Sequence, residues 1–190
     1  MKITELIKEE LLKRVEENKQ AMGYNSWEEH IKYVVKNANE LAIKYNADQE
    51  IVELGALLHD IAVVSNVGPQ QEHHINGAII AEELLNKYNY PQDRIERVKQ
   101  CVLNHSGSKD LPRNTLEEEI IADADAMAHF DTIPGLFFVA YKRRNLDIKD
   151  ASNWVKMKLE NDYNKLSPRA KEHQKERYEN IMKVLFEENE

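Results

Sequence analysis

Apolar residues recur along this chain at steps of three and four, and that period predicts helices through nearly its whole length. Ile3, Leu6, Ile7, Leu11, Leu12 and Val15 make the stripe of an amphipathic helix over 3–18. The pattern breaks at Met22-Gly23-Tyr24-Asn25. Ser26-Trp27-Glu28-Glu29 then has the Ser-x-x-Glu order of a capping box, opening a second helix over about 27–46. His30 falls in its first turn, with Val34, Leu41 and Tyr45 on the same side.

After a turn at Asn46-Ala47-Asp48, with Asp48 as cap, Ile51, Leu54, Leu57, Leu58 and Ile61 mark one face of a third helix, which ends in His59-Asp60. Residues 61–69 leave the helix for a loop. The next helix carries Glu72-His73-His74 at its start, and another has Pro91 in its first turn and runs to about 104. His105-Ser106-Gly107 closes it, with Gly107 suited to a left-handed stop. A polar loop leads to a helix over 116–129. A Pro134-Gly135 break precedes the apolar run 136–141, and helices over 148–165 and 168–188 finish the chain. The expected fold is an all-α, single-domain bundle spanning 1–190, with a motif core over about 26–130 and C-terminal helices, 131–190, packing on it.

Composition agrees with a helical, ordered protein: 42% hydrophobic and 32% charged residues, with 6 glycines and 5 prolines among 190. A formal net charge of −8 argues against an extended nucleic-acid footprint, which needs a basic face. No apolar run is long enough to span a bilayer, and the first residues lack the plan of a signal peptide. Cys101 is alone, which excludes an intrachain disulfide and fits a reducing cytoplasm. Its apolar helical setting predicts a packed, inert thiol.

The chemistry gathers at His59-Asp60. An imidazole and a carboxylate emerge together from an apolar helix, where an ionised Asp is costly unless it is paired or binds a metal. Further stations of the same kind stand at His30, His73-His74, His105 and Asp123-Ala124-Asp125, each at a helix end or in an apolar helical segment. A helical bundle can bring such side chains from separate helices onto one internal point.

The order of these residues resembles the HD superfamily of metal-dependent phosphohydrolases, in which a His is followed by His-Asp and then by a distant Asp. The match rests on His30 opening a helix, on Gly55-Ala56-Leu57-Leu58-His59-Asp60-Ile61 and on Ile121-Ala122-Asp123-Ala124-Asp125. It covers about 26–130. The resemblance implies His30, His59, Asp60 and Asp125 as ligands of one ion, with Asp125 preferred to Asp123. Some members add two histidines that hold a second ion. His73 fits that role better than His74, His105 supplies the other, and Asp60 would then bridge the pair. Such ligands suit iron, manganese or zinc, and magnesium is a further candidate.

The implied activity is hydrolysis of a phosphate ester of a small molecule, a nucleotide or a related monoester or diester, by a metal-activated water. Asp60 or Asp123 would orient that water or take its proton. Lys109, Arg113, Arg143 and Arg144 are candidate cations for the substrate phosphate. Many members follow the dyad with a small residue and then Lys, whereas this chain has Ile61-Ala62-Val63-Val64. That departure keeps two rivals in view: a metal- or nucleotide-binding regulatory module without turnover, and a mixed-ligand diiron oxygenase. The partner expected is a small phosphorylated substrate, with no membrane; a homodimer is compatible with the sequence.

Overall fold

The computed structural model describes residues 1–106 and 111–186; they form helices and connections, with no strand among them. The chain is all-α. It divides into two compact units, Met1–Asp125 and Ala126 onward.

In the first unit, α1 (Ile3–Met22) runs a turn beyond its predicted end and stops at Gly23. There φ is 74°, in the left-handed region that glycine tolerates, and the Gly23 N–H donates to the Lys19 carbonyl at 2.9 Å. The expected capping box at Ser26 does not form. Asn25 is the cap: its Oδ1 accepts from the N–H groups of Trp27 and Glu28 at 3.1 and 3.2 Å. Ser26 already has helical backbone, and its hydroxyl turns back to Met22 Sδ. The turn that follows, Trp27–Ile31, is π-helical before the chain settles into α2 (Lys32–Tyr45). Wide turns of this kind are frequent at functional sites, and this one carries His30.

Asp48 caps α3 (Gln49–Leu58) as expected, accepting from the Ile51 N–H at 3.3 Å. The helix is more deeply set than a single apolar face implies. Ile51, Val52, Leu54, Gly55, Ala56, Leu57 and Leu58 are all buried, so this is a central helix apolar nearly all round. It packs against α1, α2 and α6 (Gln92–Asn104). A Cβ placed on Gly55 would come within 3.0 Å of Cys101 Cβ and 3.1 Å of Ile121 Cγ1, so α3 approaches its neighbours with almost no space between. The dyad is a bend, after which the chain makes one further helical turn, α4 (Ile61–Val64), where a loop was expected. Ile61, Ala62 and Val64 are buried, and that burial favours the turn over an open loop.

A short 3-10 turn (Gln70–Glu72) leads into α5 (His73–Lys87), which packs on α4 and α6. Pro91 stands at the N-cap of α6, one place before the predicted position. Gly107, the expected helix stop, lies outside the described residues. Next comes α7 (Leu116–Asp131), within which the division between the units falls.

In the second unit, Pro134 does not break the chain but sits in the first turn of α8 (Ile133–Phe138), where its missing N–H costs nothing. A π-helical turn, Val139–Arg143, follows. Then α9 (Ile148–Lys165) packs against α10 (Pro168–Phe186). Tyr163 and Tyr178 stack at 4.0 Å, and Phe130 meets Tyr178 edge-on. The faces of those rings are taken up by one another. No helix among the described residues is long and apolar enough to cross a membrane.

Candidate metal centre

Within the first unit, four separate stretches deliver side chains to Asp60. From the π-helical turn, His30 Nε2 reaches to 3.1 Å from Asp125 Oδ1 on α7 and 4.0 Å from Asp60 Oδ2. At the end of α3, His59 Nε2 lies 3.3 Å from His30 Nε2, 3.6 Å from Asp60 Oδ2 and 3.9 Å from Asp125 Oδ1. Across the same carboxylate, Asp60 Oδ1 is 3.6 Å from His73 Nε2 and 3.9 Å from His105 Nε2. Those two nitrogens are themselves 3.2 Å apart. Asp60 thus turns one oxygen to each of two imidazole pairs.

The rings are held in one tautomer by their own backbone. His59 Nδ1 donates to the Ala56 carbonyl at 2.7 Å, His73 Nδ1 to Gln70 at 2.8 Å and His105 Nδ1 to Val102 at 2.6 Å. Each acceptor is three residues back, an arrangement that a helix end supplies without further design. With Nδ1 committed as donor, the neutral ring has a bare lone pair at Nε2. Two such lone pairs at 3.2 Å repel one another unless a cation lies between them. That contact between His73 and His105 is an observation of fit: the donor set is built around a positive charge.

Spacing agrees. Two ligand atoms bound to one ion at about 2.0–2.2 Å are separated by no more than about 4.4 Å, and the separations above run from 3.1 to 4.0 Å. His30, His59 and Asp60 form one group that can hold an ion, with Asp125 beside them; Asp60, His73 and His105 form another. Iron, manganese and zinc all accept imidazole together with carboxylate, so the donors do not select among them.

Electrostatics prepare the same groups. His59 is fully buried and His105 is 2% exposed. Burial, with the neighbouring His59, pushes the His105 pKa down to about 4, which keeps its imidazole neutral and able to ligate. Burial works the other way on Asp60, but the pull of positive charge at His59, His105, His30 and His73, which a bound cation would supply to neutral rings, outweighs it and holds the carboxyl below its ordinary range. A neutral imidazole and an ionised carboxylate are the forms a metal requires.

Not every expected residue comes to this centre. Asp123 is buried, but it joins none of the metal-holding groups among the described residues. Two steps along α7 turn a side chain about 200° from Asp125, onto another side of the helix. His74 is also buried and outside these groups, whereas His73 is within one. Lys109 lies outside the described residues. Arg113 is half-buried on the segment leading into α7. Arg143 and Arg144 belong to the second unit, where the Arg144 guanidinium lies 4.7 Å over the Trp154 ring.

A buried acid stands close to this centre that the sequence pattern did not single out. Glu118, 3% exposed, accepts hydrogen bonds from Asn104, Asn114 and Thr115. Its signal was present as Thr115-x-x-Glu118, the order of a capping box.

A family model described as HD domain matches residues 27–129, the stretch that carries every one of these metal-facing residues. The chain belongs to the HD domain family. Over 141 residues it is 33% identical to a tRNA (cytidine(56)-2'-O)-methyltransferase of Picrophilus torridus, a match that covers 67% of this chain and 38% of that protein. It is 34% identical over 62 residues to an uncharacterized protein of Clostridium beijerinckii, covering 33% of this chain and 40% of that one. The chain therefore spans about two fifths of the length of these relatives. Among solved structures, a predicted HD superfamily hydrolase from an uncultured Thermotogales bacterium aligns with a TM-score of 0.62 at 20% identity, over 97% of this chain and 95% of that one. The likeness shows that the two share the HD fold.

Proposed function

We propose that this HD protein hydrolyses a phosphate ester of a small molecule, a nucleotide or a related monoester or diester, using two divalent ions. The observation that carries the reading is Asp60, whose two oxygens each face a different imidazole pair. His30, His59, Asp60 and Asp125 would hold one ion, and Asp60, His73 and His105 the other. When bound, such ions supply a polarised phosphoryl oxygen and an activated water.

The chain's own residues do the rest by placement. The Ala56, Gln70 and Val102 carbonyls lock three rings with Nε2 inward, so no side-chain rotation is needed at the moment of binding. Asp60, held as an anion, would offer one oxygen to each ion and so tie the two donor groups together. Arg113, and Lys109 four positions before it in sequence, are the cations proposed to meet the substrate's charge. We assign no proton transfer to Asp123, because its position on α7 is away from Asp125.

The test is a screen of mono- and diester phosphates against protein purified without chelator and reconstituted with manganese, iron, zinc or magnesium. Metal-stimulated hydrolysis that falls at least about 100-fold in Asp60→Asn supports the reading. Tight binding of a nucleotide with no product, across all these metals, would favour a regulatory module instead.

A further inference from the structure

Glu118 is a buried carboxylate at the start of α7 that accepts hydrogen bonds from the last residue of α6 and from the two residues just before α7. Its Oε2 accepts from Asn104 Nδ2 at 2.8 Å and from the Asn114 N–H at 3.1 Å; its Oε1 accepts from the Thr115 hydroxyl at 3.0 Å. The Glu118 N–H donates to that hydroxyl at 3.3 Å. Asn104 is itself 4% exposed, the last residue of α6, and directly precedes His105. Seven residues beyond Glu118, two turns along the same face of α7, stands Asp125.

A tie between two helix ends needs no charge. An apolar pair of similar volume would hold them as well, without the cost of burying a carboxylate. What a carboxylate adds is direction: it accepts from three donors at once and so fixes the angle as well as the distance of the α6 terminus. That terminus aims the His105 ring. The side chain of Asn104 and the ring of His105 leave the backbone at consecutive residues, so a rotation that breaks the first also swings the second.

We propose that Glu118, acting through Asn104, is a positioning residue for the ion held by Asp60, His73 and His105. This rests on the reading of those three residues as an ion site. Glu118 touches neither ion nor substrate. Its role is to hold His105 Nε2 within reach of the point that His73 and Asp60 define.

The test titrates metal-free full-length protein with Mn²⁺ and counts bound ions by calorimetry and electron paramagnetic resonance. The unmodified protein should bind two per chain. Glu118→Ala and Asn104→Asp, which sets two carboxylates face to face, should each weaken one of the two sites by about tenfold, the lower end for loss of an outer partner of a metal ligand. The other site should move less than twofold. His105→Ala identifies the affected site, since it should remove the same one. Glu118→Gln, with its amide oxygen toward Asn104 Nδ2 and the Asn114 N–H, keeps both bonds at that position and should bind the ion within about threefold of the original. Fewer than two ions on the unmodified protein would overturn the two-ion reading and this inference with it. Two ions on the unmodified protein and unchanged affinities in both Glu118→Ala and Asn104→Asp would overturn the inference alone. So would a parallel loss at both sites, which makes Glu118 a general support of the fold, or a Glu118→Gln variant as weak as Glu118→Ala, which shows that the tie to Asn104 is not what holds the site.

Discussion

His73 and His105 face one another through ring nitrogens 3.2 Å apart, each with its other nitrogen already donating to a backbone carbonyl. In neutral rings both facing nitrogens are bare. The pair is therefore held in a mutually repulsive arrangement whose natural remedy is a cation. His73→Ala removes the repulsion together with a ligand, so its effect on stability should depend on metal. In chelator the variant should be as stable as the original or up to about 1 kcal/mol more stable, since its side chain is partly exposed and leaves little cavity. In excess Mn²⁺ it should be less stable, because one bound ion no longer contributes to the folded state. Thermal unfolding with and without metal checks this, and a variant that is less stable by the same amount in both conditions would refute it.

Asp125 and Asp123 should separate cleanly. Asp125 Oδ1 stands 3.1 Å from His30 Nε2, whereas Asp123 belongs to none of the metal-holding groups among the described residues. Asp125→Asn should weaken the ion at His30, His59 and Asp60 by at least about tenfold. Asp123→Asn should leave metal content unchanged and alter stability alone. Elemental analysis after dialysis distinguishes them, and equal metal loss in both variants would return Asp123 to the centre.

Much of the centre was legible because its polar residues interrupt apolar helices. His59 and Asp60 follow Leu54–Leu58, all of them buried, and two polar side chains there need a reason. The choice between His73 and His74 or Asp123 and Asp125 was harder, since each pair shares its surroundings in sequence and differs only in the direction a helix turn gives it. Glu118 was hidden for a different reason. Leu116-Glu117-Glu118-Glu119 reads as the acidic first turn of a solvated helix, which favours its N-terminal dipole. Nothing local shows that Asn104, fourteen positions earlier, lies against the middle residue of that run. At Ser26 the pattern misled, because Asn25 precedes it and its longer side chain reaches two N–H groups. The depth of α3 was likewise invisible in its period: Val52 and Ala56 were off the expected face yet are as buried as those on it.

Gly55 should resist the smallest enlargement. An added methyl at 3.0 Å from Cys101 Cβ and 3.1 Å from Ile121 Cγ1 meets two side chains buried to within 1%, neither with space to retreat. Alanine gains about 1 kcal/mol in helix propensity over glycine. Overpacking of a tight core costs about 1–3 kcal/mol. Gly55→Ala should therefore be destabilising by up to about 2 kcal/mol, and Gly55→Val by more. Urea unfolding of the two variants measures the order; an alanine variant more stable than the original would show that α6 and α7 can move apart from α3.

The second unit carries an acid-sensitive joint. Asp162, 4% exposed on α9, accepts from Lys158 Nζ through both oxygens at 2.6 Å, and His129 Nδ1 lies 3.1 Å from its Oδ2. Burial disfavours the carboxylate's charge, but the attraction of His129 and Lys158 and their hydrogen bonds outweighs it, so the carboxyl titrates below its ordinary range. A carboxyl with a depressed folded pKa contributes stability that is present above its unfolded pKa, about 3.9, and is lost as pH falls through the folded value. Asp162→Asn keeps the shape, removes the charge and leaves Lys158 without its bidentate partner. At pH 7 the variant should be less stable by about 2 kcal/mol, below the range for fully buried pairs because Lys158 is 31% exposed. That difference should shrink as pH falls below about 4, where the carboxyl of the unfolded chain takes up a proton while the folded one is still ionised. Denaturant unfolding of both proteins at pH 7 and pH 3 gives the two differences directly. A gap that stays the same at both values would mean that Asp162 acts through its shape and hydrogen bonds rather than through its charge.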